Sequence, residues 1–195
     1  FIEGRSLREF AHSKKRQPEK NIAVVIRKLA LGLAEAHAHG IIHRDLKPAN
    51  IMVDTKGEPV VMDFGLARPV EGGATLSQAG IVLGTPPYMS PEQALDTKTA
   101  DARSDIYSLG CTLFFLLTGR PPYGDDAHKS LGQKLSGHTL ELAPDIRRWR
   151  PDVSDELAEI GLRLLAKKPS QRFASGAEVA TALERVLHGL PGHTQ

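Results

Sequence analysis

One cysteine in 195 residues, Cys111, leaves no intrachain disulfide framework and suits a reducing setting. Aromatic residues make up only 5% of the chain, too few to suggest a sugar-stacking or base-stacking surface. Charge of one sign is also missing, since 25 Lys and Arg against 23 Asp and Glu leave a net charge of +2. The densest basic run, Lys14 to Arg16, reads as a short solvated loop, so no nucleic acid partner is expected. The apolar run 109–117 falls well short of the roughly 20 residues needed to cross a bilayer. No basic-then-apolar order opens the chain as a signal peptide would. Internal repeats, low-complexity tracts and a second-domain linker are absent too. A cytoplasmic setting is expected, with any membrane anchor lying outside this region, and the oligomeric state is left open. The chain opens on Phe1 rather than Met, so its start reads as a cut or incomplete end.

Composition otherwise fits one domain with a single sizeable core: 41% of residues are apolar and 25% charged. From Pro18 and Glu19, the residues Ile22, Val25, Ile26, Leu29, Leu33 and Ala36 recur at helical spacing until Gly40. His37 and His39 read as its polar end. The short runs 51–53 and 60–62 are β-type, and the turn-rich 54–59 between them predicts a hairpin. Symmetric closure pairs 53 with 60 and 50 with 63. Segment 63–92 has glycines at 65, 72, 73, 80 and 84 and little periodicity, which marks a functional or disordered loop. Helices are then expected over 105–117, 126–135, 154–166 and 175–187. Ser154 is the expected cap of the third, Ser175 with Glu178 forms a capping box on the fourth, and Gly189 stops the fourth.

The sharpest string is His43-Arg44-Asp45-Leu46-Lys47-Pro48-Ala49-Asn50, followed by Asp63-Phe64-Gly65. Phosphoryl transfer from ATP needs a carboxylate aimed at the acceptor hydroxyl, a cation on the moving phosphate and oxygen ligands for Mg²⁺. That stretch contains all three. With 50 opposite 63, the Asn50 amide and the Asp63 carboxylate would lie side by side.

These motifs resemble the catalytic loop and metal-binding motif of eukaryotic-type serine/threonine protein kinases, with wording most similar to bacterial members. The resemblance implies Asp45 as the base or hydroxyl-orienting group and Lys47 as the neutraliser of the γ-phosphate. Asn50 and Asp63 become the ligands of Mg²⁺, with Mn²⁺ as a substitute. Lys two residues after the Asp is the serine/threonine pattern. Residues 84–92 resemble the substrate-docking loop and the end of the activation segment, with Thr85 in the docking loop and Ser90 where Ala is usual. Asp105 resembles the buried anchor of the catalytic-loop backbone, and Arg172 the partner of Glu92. Residues 1–6 resemble the hinge, with Ile2 bonding the adenine edge and Ser6 near the ribose; Met52 resembles the floor under the adenine. Arg44 suggests a receiver for a regulatory phosphate, with Ser77 and Thr75 as candidate sites.

The resemblance implies a mainly α fold: the helical C-terminal lobe of the kinase fold over 1–195, with a small β-hairpin at the catalytic site and a last helix at 175–188. No G-x-G-x-x-G precedes the catalytic loop, and the strand Lys and helix Glu that grip the ATP phosphates are missing, so the N-terminal lobe is expected to be absent and the fragment inactive alone. Protein substrates are the expected partners. A pseudokinase scaffold is the alternative, opposed by the intact Asp45, Lys47, Asn50 and Asp63. A small-molecule kinase is opposed by Lys47 and the docking loop.

Overall fold

The computed structural model describes residues 4–11, 16–64, 85–96, 99–124 and 126–189. The elements run β1 (Gly4–Ser6), α1 (Leu7–Ala11), α2 (Glu19–Ala38), β2 (Ile51–Asp54), β3 (Pro59–Val61), α3 (Pro91–Leu95), α4 (Ala102–Thr118), α5 (Leu131–Leu140), α6 (Asp155–Leu164) and α7 (Gly176–His188). The fold is mainly helical, as the resemblance implies.

α4 is the centre of the molecule. Every residue from Ser104 to Leu117 is buried, because α4 is enclosed by α2 on one side and α6 on another. The approach to α6 is close: a Cβ on Gly110 would lie 2.7 Å from the Leu164 Cβ. α2 buries Ile22, Ala23, Val25, Ile26, Leu29, Ala30 and Leu33 against α4 and α7. There Gly176 is needed, since any Cβ would collide with the Ala30 carbonyl oxygen. One apolar cluster runs through all these helices, from Leu7 to Leu183.

Helix ends depart from the sequence expectation in instructive ways. α4 starts at Ala102 because Asp101 is its N-cap, accepting from the Arg103 N–H, so Asp105 sits inside the first turn. Instead of one helix over 126–135, the chain makes a single 3-10 turn at Asp126–His128 and begins α5 at Leu131. Ser130 and Gln133 form a capping box there, which sets the start three residues beyond the turn. Ser154 does not cap α6 with its side chain; its backbone N–H instead donates to Glu19 Oε2 at 2.9 Å. Ser175 Oγ accepts from Glu178 N–H as expected, but the Glu178 carboxylate reaches back to Ala174 N–H.

The hairpin is also corrected. It belongs to a three-stranded antiparallel sheet in the order β1-β2-β3, and its register pairs Ile51 with Val61, Met52 with Val60 and Val53 with Pro59. The cause is the turn. Asp54 Oδ1 accepts from Lys56 and Glu58 N–H at 2.8 Å each, and Gly57 takes φ +83°. The result is a three-residue loop in which the glycine supplies the left-handed conformation. Asn50 therefore faces Met62, whose N–H donates to the Asn50 carbonyl at 2.8 Å, and not Asp63.

Candidate active site

Residues 43–50 form a loop between α2 and β2, held from below by α4. The fully buried Asp105 accepts the N–H groups of His43 and Arg44 at 2.8 Å each, one per carboxylate oxygen. His37 Nε2 lies 2.8 Å from the same carboxylate. The Arg44 carbonyl accepts from Gln93 Nε2 at 2.8 Å, and Arg44 itself adopts φ +67°. Three elements thus clamp one peptide turn that a side-chain-bearing residue would not take unaided. His43 accepts from Asp45 N–H through Nδ1 at 3.2 Å, which leaves Nε2–H to donate to the Met62 carbonyl at 2.8 Å. The imidazole joins the loop to the end of the hairpin.

Above this base, polar side chains converge on Asp45. Lys47 Nζ donates to Asp45 Oδ2 at 2.6 Å and to Thr85 Oγ1 at 2.5 Å. Asn50 Nδ2 donates to the Asp45 carbonyl at 3.0 Å and to its Oδ2 at 3.3 Å, so the amide oxygen is the end left for a ligand. Asp63 lies one residue past the strand pairing with φ +61°, exposed, beside Phe64, whose ring meets His43 at 5.0 Å. The left-handed turn at Asp63, rather than a strand register, decides its placement.

Glu92 and Arg172 form a fork-to-fork pair at 2.7 and 2.8 Å. Arg172 spends its other donors on the carbonyls of Arg103, Ala166 and Lys167, so all five N–H groups are used. Burial alone would raise the Glu92 pKa, but the Arg172 guanidinium and Ser104 hydroxyl hold it below the ordinary value. Thr85 opens the 3-10 turn Pro86–Tyr88, and the Tyr88 carbonyl is held by Ser108 Oγ at 2.8 Å.

Ser6 and Met52 are opposite one another on β1 and β2. The Ser6 hydroxyl makes a capping box with Glu9, at 3.0 and 3.2 Å, that starts α1. Ile2, Thr75, Ser77 and Gly65 lie outside the described residues. The sequence reading overlooked two partners of the site: His37, taken as a helix end, and Gln93. The Ser90-x-x-Gln93 capping-box pattern was a signal for the second; for His37 only its position in the last turn of an amphipathic helix was available.

Among the described residues no helix is long and apolar enough to cross a membrane. Comparison with known proteins adds the family. The profile of the protein kinase domain matches residues 1–185. The serine/threonine-protein kinase PknB of Mycolicibacterium smegmatis is 40% identical over 190 residues, covering 97% of this chain and 30% of that protein. A probable serine/threonine-protein kinase of Streptomyces coelicolor is 40% identical over 195 residues, 98% of this chain and 28% of its own length. The DNA damage-responsive serine/threonine-protein kinase RqkA of Deinococcus radiodurans is 45% identical over 148 residues, 76% of this chain and 22% of its own. The chain thus spans less than a third of the length of these relatives. With its catalytic-loop geometry and these matches, the chain belongs to the protein kinase domain family, among the bacterial eukaryotic-type serine/threonine kinases.

Proposed function

We propose that this chain is the substrate-side part of a kinase that transfers the γ-phosphate of ATP to Ser and Thr hydroxyls of proteins. The observation that carries the reading is the convergence on Asp45: Lys47 bridges it to Thr85, and Asn50 bonds the same residue. An acceptor hydroxyl entering beside Thr85 meets a carboxylate that orients it and takes its proton, while Lys47 faces the negative charge of the moving phosphate.

The donor set fits Mg²⁺, which binds through one or two protein oxygens and substrate phosphates. Asn50 Oδ1 and the Asp63 carboxylate are the residues that would hold it, and the ion would neutralise phosphate charge. Arg44 suits the role of phosphate receiver: among the described residues its Nε is buried without a partner, which a phosphate on Thr75 or Ser77 would supply. Met52, Ser6 and Ile2 are the proposed adenosine contacts. The 195 residues contain no Gly-rich phosphate loop, so on their own they are expected to be inactive, the ATP-covering lobe coming from outside them.

In the full-length enzyme, Asp45→Asn and Asp63→Asn are each expected to lower phosphate transfer by ~10³-fold or more with the melting temperature unchanged. Wild-type turnover by purified Asp63→Asn enzyme would sink the assignment. Comparable specific activity from residues 1–195 alone would remove the need for a second lobe.

A further inference from the structure

Lys167, in the loop after α6, has no part in the roles above. Its Nζ donates to Tyr123 Oη at 2.7 Å and to the carbonyls of Gly137 and His138 at 2.8 Å each, acceptors of which none is a carboxylate. The ammonium also stands 4.6 Å from the centre of the Tyr123 ring. Those carbonyls belong to the last turn of α5, where C=O groups have no partner within the helix, so a cation there satisfies them and opposes the negative end of the dipole. Burial lowers the Lys167 pKa to about 8, the desolvation cost of a charge placed there.

The bonds of Lys167 run in two directions. On one side its carbonyl accepts from Arg172 Nη2 at 3.0 Å, and Arg172 is the residue that grips Glu92 at the end of the docking segment. On the other side Tyr123 packs so tightly under α5 that a Cβ on Gly137 would come within 2.6 Å of its ring. Tyr123 meets the His138 ring at 4.8 Å, and His138 Nδ1 lies 2.9 Å from Tyr107 Oη on α4. α5 and His138 abut the Pro86–Tyr88 turn. Pro87 and Pro121 are shared by two adjoining grooves, one of about 540 Å³ that contains Lys47 and Thr85, and one of about 390 Å³ that reaches Lys134 on α5.

We propose that Lys167 is a positioning residue for the protein substrate: it pins the last turn of α5 to the Glu92–Arg172 pair and so sets the groove at Pro87 along which the acceptor segment lies. The inference rests on the kinase reading. In the full-length enzyme, with histone as the probe substrate, Lys167→Met is expected to raise the histone KM about tenfold, with kcat at saturating histone and the KM for ATP within about twofold of wild type. Lys167→Arg, which keeps a cation and donors, is expected to restore the histone KM to within about threefold. An unmoved histone KM, a fall in kcat beyond about twofold, or an Arg variant as impaired as the Met variant would overturn the proposal. A wild-type enzyme that transfers no phosphate to histone or to itself retires the kinase reading instead, whereas transfer indifferent to Lys167→Met retires only this inference.

Discussion

α4 and its neighbours bury every residue from Ser104 to Leu117, while the residues that carry the proposed chemistry sit at a rim where Asp63 and Phe64 are exposed. Polar groups occur in both regions, but they do different things. In the core, Asp105 is engaged by the His43 and Arg44 N–H groups and by His37, and Arg172 spends all five of its N–H groups on Glu92 and three backbone carbonyls, so their value is structural and local. At the rim, Asp45, Lys47 and Asn50 share a few bonds, and among the described residues the Asn50 oxygen and the Asp63 carboxylate are left over. Saturation in one region and spare capacity in the other separate residues that hold the fold from residues able to receive a ligand.

Breaking the core side gives the largest expected effect. Arg172→Ala strands the Glu92 carboxylate, whose side chain is 13% exposed, and should cost about 3–5 kcal/mol in urea unfolding. Next is acid. Burial, then the neighbouring Lys167 ammonium, push the His138 pKa down to about 3, so the folded protein keeps the imidazole neutral. The unfolded chain protonates it below its ordinary value of 6.5. Stability is therefore full above that pH and falls as pH drops, by up to about 1.4 kcal/mol per unit until the folded-state pKa is reached. Urea midpoints at pH 7, 5 and 4 should show the slope, and His138→Gln should remove its part of it. Smaller still is Ser130→Ala, which removes one cap and should cost about 1 kcal/mol, seen as faster amide exchange confined to the first turn of α5. On the rim, Asp63→Asn should move stability by less than about 0.5 kcal/mol while lowering transfer by ~10³-fold or more, which is the sharpest form of the contrast.

Long periodic helices were legible because burial on one face imposes a repeat: Ile22 to Leu33 reads as α2 and the buried run after Asp105 as α4. The catalytic string was legible because its chemistry needs fixed residue types at fixed spacing. The strand Gly4–Ser6 and helix Leu7–Ala11 were not read, although Ser6 and Glu9 spell a capping box, because elements of three and five residues carry too little pattern.

What the sequence determined by itself is the set of local instructions: apolar period, caps at Ser130 and Ser175, and the order of Asp45, Lys47, Asn50 and Asp63. Only the tertiary structure decided which partner each long-range group meets. The one-residue hairpin register came from a turn in which Asp54 binds two N–H groups and Gly57 turns left-handed, and it moved Asn50 opposite Met62. His37 on Asp105, Gln93 on Arg44 and Lys167 on the end of α5 join residues 68, 49 and 30 positions apart or nearly so. Such contacts leave no periodic trace, because a buried donor or acceptor is satisfied by whatever group the packing of the whole chain brings to it.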